Sequence, residues 1–412
     1  MRGFKYAILW RNNKTSVFLD RDLSRAETQS RGEGVGRKER IDRKDWKCVK
    51  LGEFELHRNN TCARSLMTSD NGKMQNIHYG DILVKFNEIV SLEQTKIDYL
   101  TAEGENCAPK DYIQNGDIVI ADTAEDETVG KMIEVQDVGQ HKVVAGLHTI
   151  FYRPPSNLFA RGWLGYWMNS TAYHSQLNQY MTGIKVLSLS KSCLANTLIQ
   201  YPPKKEQQQI VAALDSVQRH ITSLQALVAK YDAVKKATVN LLLKAKVGWR
   251  KVKVKDFCPL QRGFDLPKRL RREGKYPLVC SNGVVDRIDT ALQKAPGVVT
   301  GRSGTIGSVH YVTEDYWPHN TTLWVTKFID ADPMFVYHLL SNMNLTSFSG
   351  GSGVPTLNRN NIHETIISVP TIHKQREIAA QISAIDNMIK ICHAQLAKAQ
   401  SLKHGMMTYF FG

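Results

Sequence analysis

Several features are absent from this 412-residue sequence, and each absence excludes a class of protein. No apolar run approaches the length of about 18 residues that a transmembrane helix needs. The first residues do not form a basic and apolar leader, so a cytoplasmic protein is expected. The 7 cysteines are dispersed and never spaced as Cys-x-x-Cys, which favours reduced thiols over disulfide bridges or a zinc site. With 13 prolines and 42% hydrophobic residues, the composition is that of a folded chain.

Acidic residues are also scarce. The sequence has 39 Asp and Glu against 54 Lys and Arg, which gives a formal net charge of +15. Such an excess favours binding to polyanions, and neutralisation of phosphates is the sequence-independent part of nucleic-acid binding. An anionic membrane is the rival partner, but no amphipathic stretch carries Lys and Arg opposite Trp or Phe. Nucleic acid is therefore the expected partner, and no membrane partner is expected.

An internal repeat organises the sequence at an offset of 168 residues. The aligned positions include residues 197–199 with 365–367, Pro202 with Pro370, and Gln207 with Gln375. Each copy then enters an apolar seam whose spacing alternates between four and three residues. The seam positions are Ile210, Leu214, Val217, Ile221, Leu224, Val228 and Tyr231 in the first copy, and Ile378, Ile382, Ile385, Ile389, Cys392, Leu396 and Ala399 in the second. This period predicts two coiled-coil helices, with core helices of a helical domain as the alternative.

A second correspondence has an offset of 203 residues. Trp46, Val49, Leu51 and Phe54 align with Trp249, Val252, Val254 and Phe257. Each set alternates like a half-buried strand that opens a domain. The repeated unit is therefore a domain, a proline and a long helix, and the two domains differ in length while the helices do not.

The predicted fold class is α+β, with two β-rich α/β domains separated by a long antiparallel two-helix coiled coil. Antiparallel pairing is expected because each helix follows a globular domain. A parallel pair would require the second domain to span the whole length of the first helix, which is about 60 Å for about forty residues. The predicted layout is an extension or linker at residues 1–45, a domain at 46–203, a helix at 204–247, a domain at 248–370 and a helix at 371–412. Within residues 1–45, the stretch from Phe4 to Trp10 is the alternative to a linker, as a short packed element.

A glycine-rich turn in the second domain is a candidate ligand-binding loop. Residues 298–309 predict a strand, a turn with three glycines and a second strand. Arg302, Ser303 and Thr305 and the loop amides could bind a phosphate or a base edge, although a purely structural hairpin is an equal alternative. No Gly-Lys-Ser/Thr follows, so this is not a nucleotide-binding loop. Further strands are predicted at residues 321–324 and 366–369, with a flexible glycine loop at 350–353.

The densest positive charge lies at the start of the second domain. Residues 250–275 hold ten Lys and Arg against three Asp and Glu. The basic side chains singled out here are Arg262, Lys268, Arg269, Arg271 and Arg272. Arginine binds phosphate bidentately and reads guanine in the major groove, so this loop favours DNA. Solvated surface charge is the alternative.

The first domain is predicted to be β-rich, because residues 79–86 and 115–122 each read as a Gly-Asp turn feeding a strand. Asp122, Glu125, Asp126 and Glu127, with Lys131, raise the alternative of a nuclease site. A second acid on a preceding strand is missing, and neither Arg153-Pro154-Pro155-Ser156 nor Tyr201-Pro202-Pro203-Lys204 is a methyltransferase motif. The chain is therefore expected to be noncatalytic, with a stand-alone DNA-cleaving or DNA-modifying enzyme and a protein-binding coiled-coil adaptor as alternatives.

At this point the sequence resembles a known family, the specificity (S) subunits of Type I restriction-modification enzymes. The resemblance covers residues 46–412, and the repeated layout is more specific than any single motif. The motifs that carry it are residues 301–307, Asn320-Thr321-Thr322-Leu323-Trp324, Gly353-Val354-Pro355-Thr356-Leu357-Asn358 with Ile362, Pro370 with residues 374–378, Pro203 with residues 206–210, and residues 116–118, 124–131 and 146–149. Residues 1–45 depart from the pattern.

The resemblance implies two target recognition domains that each read one half of a split, asymmetric DNA site. It also implies that the helices bind two methyltransferase (M) subunits, that restriction (R) subunits join the complex, and that S-adenosylmethionine, ATP and Mg are held by those partners only. The candidate DNA-binding residues are Lys73, Lys85, Asn87, Lys131, His148, Arg262, Lys268, Arg269, Arg271, Arg272, Asn282, Arg302, Ser303 and Thr305.

Overall fold

The structure is a computed structural model that describes residues 6–11, 14–19, 43–70, 72–101, 108–155, 157–350 and 355–412. The chain divides into two compact units, Met1–Ser216 with Leu402–Gly412, and Val217–Ser401. An antiparallel hairpin of β1 (Tyr6–Arg11) and β2 (Lys14–Leu19) occupies part of the predicted extension. Most of the predicted linker, and residues 351–353 of the glycine loop predicted at 350–353, lie outside the described residues.

Each domain opens and closes with a matching pair of strands. In the first unit, β3 (Lys47–Lys50) pairs with β15 (Leu198–Tyr201), and Val49 lies opposite Ile199. In the second unit, β16 (Arg250–Lys253) pairs with β26 (Ile366–Val369), and Val252 lies opposite Ile367. The opening strands are the segments related by the offset of 203 residues, and the closing strands are those related by the offset of 168. In each domain one opening strand and one closing strand form a small antiparallel sheet.

The opening strands are shorter than predicted. After β3 the chain turns into a 3-10 helix at Leu51–Glu53, and after β16 it forms α6 (Val254–Phe257). Leu51 and Phe54 are buried, as are Val254 and Phe257. A spacing of three residues places both members of each pair on one face of a helical turn, so the prediction of a continuous alternating strand was wrong beyond Lys50 and Lys253.

Two mixed sheets form the body of the first unit. The five-stranded sheet has the order β4-β13-β9-β11-β7, and the four-stranded sheet has the order β12-β6-β8-β5. A third pair joins β10 to β14. The strands are β4 (Glu55–His57), β5 (Met67–Thr68), β6 (Gln75–Ile77), β7 (Ile89–Ser91), β8 (Tyr99–Leu100), β9 (Ile118–Ala121), β10 (Thr123–Ala124), β11 (Met132–Gln136), β12 (Val143–Ala145), β13 (Thr149–Arg153) and β14 (Leu187–Ser188).

Of the two predicted Gly-Asp turns in the first unit, one feeds a strand and one does not. Gly116, with φ of +88°, precedes β9 as predicted. Residues 79–84 instead form the helix α1 (Tyr79–Val84), because the Nδ1 of His78 accepts a hydrogen bond from the Gly80 amide and caps it. The other short helices of this unit are α2 (Trp163–Met168), α3 (Thr171–Leu177) and α4 (Lys191–Ala195).

The last residues of the chain pack within the first unit. Phe411 is buried, and its ring centroid lies 5.4 Å from Trp163 and 5.6 Å from Trp167, edge-on to both. The side chain of Lys403 lies 2.6 Å from a carboxylate oxygen of Glu88, and both side chains are mostly buried. Aromatic burial and a largely desolvated ion pair therefore hold this helix end.

The second unit also contains two sheets. The four-stranded sheet has the order β17-β23-β20-β21, and the three-stranded sheet has the order β19-β18-β22. The strands are β17 (Leu260–Arg262), β18 (Glu273–Cys280), β19 (Gly283–Ile288), β20 (Gly297–Gly301), β21 (Val309–Val312), β22 (Trp317–Pro318), β23 (Thr322–Val325), β24 (Ser349–Gly350) and β25 (Thr356–Leu357). The helices α7 (Pro333–Asn342) and α8 (Arg359–His363) contribute to its core, in which Phe257 and Phe335 are fully buried.

Two helices of 40 residues complete the fold, α5 (Lys204–Leu243) and α9 (Ile372–Phe411). Within the second unit, Ile221 and Leu224 of α5 pack against Ala399 of α9. Further along α5, Lys235 pairs with Asp386 of α9 at 2.5 Å. Residue numbers thus increase along α5 while those of the contacting residues of α9 decrease, so this part of the pair is antiparallel.

The fourteen predicted seam positions are all buried or half-buried. Ile210, Leu214, Ile378 and Ile382 are at most 2% exposed. The predicted α+β fold class, with β-rich domains and long coiled-coil helices, is confirmed. Within the part of the chain that the structure describes, none of the helices is long and apolar enough to span a membrane.

Candidate nucleic-acid interface

Two arginines lie at the same end of the four-stranded sheet of the second unit. Strand β23 runs between β17 and β20 and is antiparallel to both, so the ends of β17 and β20 flank the start of β23. Arg262 is the last residue of β17, and Arg302 directly follows β20. The amide of Gly263 donates to the Thr322 carbonyl at 3.1 Å, and the amide of Arg302 donates to the Thr321 carbonyl at 2.8 Å. The sheet register therefore brings together two residues that are forty positions apart.

The glycine-rich turn after β20 is closed by its own backbone hydrogen bonds. The Gly301 amide donates to Ser308, and the Gly307 amide donates back to Gly301. The amides of Arg302 and Ser303 both donate to the carbonyl of Thr321. Those two amides, predicted as donors to a phosphate, are therefore already used, and the prediction was wrong for them. Thr305 is exposed, and Ser303 forms an isolated antiparallel β-bridge with Thr356.

The guanidinium group of Arg302 is electrostatically unusual. Burial lowers the pKa of Arg302 below its ordinary value, and the positive charge of Arg262 lowers it further. Neither side chain makes a hydrogen bond or ion pair with another of the described residues. The Arg302 side chain is half-buried, whereas that of Arg262 is exposed.

Neutral polar groups surround this pair. The Thr321 hydroxyl accepts a hydrogen bond from the Ser281 amide at 3.3 Å and lies 3.2 Å from Nδ1 of His319. Burial and then Arg271 lower the pKa of His319, so this imidazole is neutral at pH 7. The amide of Asn320 donates to Asp265 at 2.8 Å. Such mixed donors and acceptors match the edges of DNA bases.

The basic loop divides into exposed and internal side chains. Lys268, Arg269 and Arg272 are exposed around a 3-10 helix at Lys268–Leu270. Arg271 is instead 17% exposed, and its guanidinium donates to the Leu266 carbonyl at 3.2 Å and lies 3.6 Å from Asp286. Arg271 therefore holds the loop together, while the other three present charge to solvent. Asn282 is exposed in the turn between β18 and β19.

In the first unit the candidate residues are less concentrated. Lys73, Asn87 and His148 are exposed. Lys85 pairs with Asp81 at 2.9 Å. Lys131 points inward and donates to the Leu83 carbonyl at 3.0 Å, and burial lowers its pKa. A role in DNA binding remains a prediction for each of these residues.

A cluster that the sequence did not reveal surrounds His148, which has a positive φ of 55°. The ring of Tyr79 lies edge-on to His148 at 5.2 Å and contacts His78 at 4.6 Å. Burial, and then Arg64, lowers the pKa of His78. The aromatic and basic groups of Arg64, His78, Tyr79 and His148 thus meet at the start of α1. The His-Tyr dipeptide before the Gly-Asp turn was the only local signal of this cluster.

The acidic segment considered as a nuclease site is occupied by local contacts. The Asp122 carboxylate accepts from the Thr123 hydroxyl at 2.8 Å, and Asp126 accepts from the Thr128 amide at 2.9 Å. Throughout the described ranges, no group of three His, Cys, Asp or Glu side chains is arranged to hold a metal ion. These hydrogen bonds are the local contacts of an acidic turn.

The repeated units and their polar loops define a protein of the DNA-specificity class. The sequence profile of the Type I restriction modification DNA specificity domain matches residues 43–230 and 246–401. The chain therefore belongs to this family, as the resemblance of its motifs predicted.

Individual relatives agree with this assignment. A protein of Mycoplasma pneumoniae named as a type I specificity subunit is 23% identical over 236 residues, which are 54% of this chain and 64% of that protein. The match thus spans less than two thirds of the relative's length. The S subunit of a type I restriction-modification system from M. genitalium has a TM-score of 0.63 at 13% identity, over 91% of this chain and 98% of its own. A chain from a structural study of complex assembly and conformational transition of the type I system has a TM-score of 0.51 at 16% identity, over 89% of this chain and 97% of its own. At these identities the likeness concerns the fold.

Proposed function

We propose that this chain is the DNA sequence-specificity subunit of a cytoplasmic Type I restriction-modification complex and is itself noncatalytic. Each β-rich domain reads one half of a bipartite site, and α5 and α9 set the distance between the halves. The observation that carries the proposal is the doubled unit of a domain closed by a small sheet and followed by a 40-residue helix. Two-headed binding on one face of DNA places the half-sites roughly one helical turn, or about 10 bp, apart.

An asymmetric target follows from the interiors of the two domains. Their small sheets and helix entries match, but one interior holds a five-stranded and a four-stranded sheet and the other a four-stranded and a three-stranded sheet. Different interiors present different loops to the grooves. The small sheets and the long helices are therefore repeated, while the two surfaces proposed to recognise DNA differ.

Exposed apolar side chains support binding of two copies of one partner. Val234 of α5 and Leu402 of α9 are aligned by the 168-residue offset and are 42% and 49% exposed. One heptad further on, Leu241 and Tyr409 are also aligned and exposed. Since the same surface occurs twice, the partner that covers it binds twice. We assign it to two methyltransferase subunits, with restriction subunits joining them; S-adenosylmethionine, ATP and Mg are bound by those partners.

The stoichiometry of the native complex tests this proposal. A tagged chain is purified from its host at moderate salt, and an adenine methyltransferase identified by mass spectrometry is quantified. Two copies per chain are expected, one copy for each of the single variants Val234→Asp and Leu402→Asp, and none for the double variant. Gln225→Asp, at an exposed position of α5, is the control and should retain two copies.

Other outcomes would lead to a different function. A chain that copurifies with a protein partner but shows no salt-dependent affinity for DNA, even in that complex, would favour a protein-binding adaptor. A purified chain that cleaves a plasmid with Mg, and loses that activity in Asp122→Ala, would establish the stand-alone enzyme instead. Sequencing of methylated DNA from the host identifies the bipartite target.

A further inference from the structure

The Arg262 and Arg302 pair is costly for the free protein. The sheet register brings both arginines to the same end of the sheet, and partial burial of Arg302 removes part of the hydration that would stabilise its charge. The described residues provide no carboxylate to either guanidinium. A ligand with acceptor atoms would offset this cost by hydrogen bonding to the guanidinium groups.

The backbone of Arg302 is held on both sides. Its amide donates to the Thr321 carbonyl at 2.8 Å, and its carbonyl accepts from the Leu357 amide at 2.8 Å. Its side chain is half-buried, whereas Lys268, Arg269 and Arg272 are exposed on their loop. Partial burial on a fixed backbone restricts the side chain, so less entropy is lost on binding, and the planar guanidinium can present two parallel N–H donors to one ligand.

The surroundings of the pair distinguish a base edge from a phosphate. Asp265 holds Asn320 at this end of the sheet, and its negative charge would repel a phosphate. A carboxylate does accept a hydrogen bond from the amino group of cytosine, and arginine donates two to O6 and N7 of guanine. His319, Asn320 and Thr321 add neutral polar groups. An arginine and a carboxylate at the same end of the sheet provide the donors and the acceptor that a G·C pair presents partners for in the major groove.

We infer that Arg302, with Arg262 beside it, reads a guanine in the half-site that the second domain recognises. This inference rests on the proposed function and makes Arg302 a specificity-determining residue. Lys268, Arg269 and Arg272 then contact phosphates and carry no sequence information.

The test is the target sequence of the assembled complex. Methylated sites are mapped for the wild type, Arg302→Ala, Arg302→Lys and Arg262→Ala. Arg302→Ala is expected to relax one G·C position in one half-site and to reduce discrimination there roughly 5- to 150-fold, leaving the other half-site unchanged. Replacing that guanine by 7-deazaguanine, which lacks the N7 acceptor, should weaken binding by the wild type and not by Arg302→Ala.

Arg287→Ala is the matched control, because Arg287 lies on the same domain and pairs with Glu314 at 2.9 Å. It should leave both affinity and target unchanged. A uniform loss of affinity with an unchanged target in Arg302→Ala would overturn the inference and assign Arg302 to a phosphate. So would a target in which neither half-site changes. If the wild-type complex methylates no bipartite site, the proposed function fails as well, and the two failures are thus distinguishable.

Discussion

Gln207 and Gln375, which lie 168 residues apart, make the same three hydrogen bonds. The side-chain oxygen of Gln207 accepts from the Ala160 amide at 2.7 Å, and its nitrogen donates to Leu158 and Pro202. The oxygen of Gln375 accepts from the Asp332 amide at 2.8 Å, and its nitrogen donates to Asp330 and Pro370. Both side chains are buried in the first turn of a long helix. Each glutamine joins the start of a helix to a loop of the domain that precedes it.

Gln375→Ala is expected to lower the free energy of unfolding by about 2 to 4 kcal/mol, because the Asp332 amide and two carbonyls lose their buried partner. Gln207→Ala should have a similar effect. Urea denaturation followed by circular dichroism measures both. The control is Gln381→Ala on the exposed side of α9, and an equal loss in the control would show that helix propensity rather than the hydrogen bonds is responsible.

Ile382→Ala should destabilise the protein by about 2 to 5 kcal/mol, because Ile382 of α9 is fully buried in a core cluster formed with the second domain and the end of α5. Ile382→Asp should cost more, since it buries a charge, and should also prevent methyltransferase binding. Thermal unfolding and copurification are the two measurements. Ala384→Asp adds the same charge at an exposed position two residues away and is expected to leave both unchanged. A fully stable and assembled Ile382→Asp protein would contradict the coiled-coil assignment.

Alanine at Lys268, Arg269 and Arg272 should weaken DNA binding by the complex equally for all sequences. Each replacement is expected to reduce the slope of log K against log salt by about one, since under the proposed function each removes one phosphate contact. Affinity titrations between low and moderate salt provide the slope. Lys294→Ala is the control, because Lys294 pairs with Asp315 at 2.7 Å. Arg271→Ala should instead lower stability by about 1 to 3 kcal/mol, since Arg271 bonds to its own loop.

Acid should destabilise the second unit through His338, whose Nε2 lies 3.0 Å from the Ser383 hydroxyl. Burial lowers the pKa of His338 below its usual 6.5, and Lys235 lowers it further, against the opposing effects of Asp386 and Asp332. The unfolded state therefore binds more protons than the folded state below about pH 6.5. The contribution of neutral His338 to the free energy of unfolding is fully present above that pH and is lost as the pH falls.

The slope of the free energy of unfolding against pH tests the role of His338. His338→Gln retains a polar partner for Ser383 but does not titrate, so its stability should decline less steeply between pH 6.5 and 5 in urea denaturation. His393→Gln, on the exposed face of α9, should follow the wild type. Identical slopes for all three proteins would exclude His338 as a source of the acid sensitivity.

The features that the sequence predicted depend on periodicity. The seam from Ile210 onward repeats every 3.5 residues, and such a pattern identifies both the helix and its buried face. The closing strand at Ile366–Val369 and the hairpin around the glycine-rich turn were also predicted, because apolar runs are bounded there by turn residues.

The features that were missed depend on partners far away in the sequence. Arg271 and Lys131 look like surface cations in the sequence, but Asp286 and the Leu83 carbonyl turn them inward. The helix at Tyr79–Val84 depends on a histidine cap, which is not among the usual capping residues. The pairing of Arg262 with Arg302 likewise arises only from the strand order β17-β23-β20.

The small sheet of each domain also has an evolutionary consequence. Because β16 and β26 are hydrogen-bonded neighbours, the chain enters and leaves the interior of the second domain at one place. Under the proposed function, recombination within these two strands would exchange residues 254–365, and with them the DNA half-site, as a cassette, while the sequences of both long helices stay unchanged. The incoming segment would still have to provide what Asp330, Asp332 and Phe335 now give to the start of α9, namely the partners of Gln375 and the packing around Ile382.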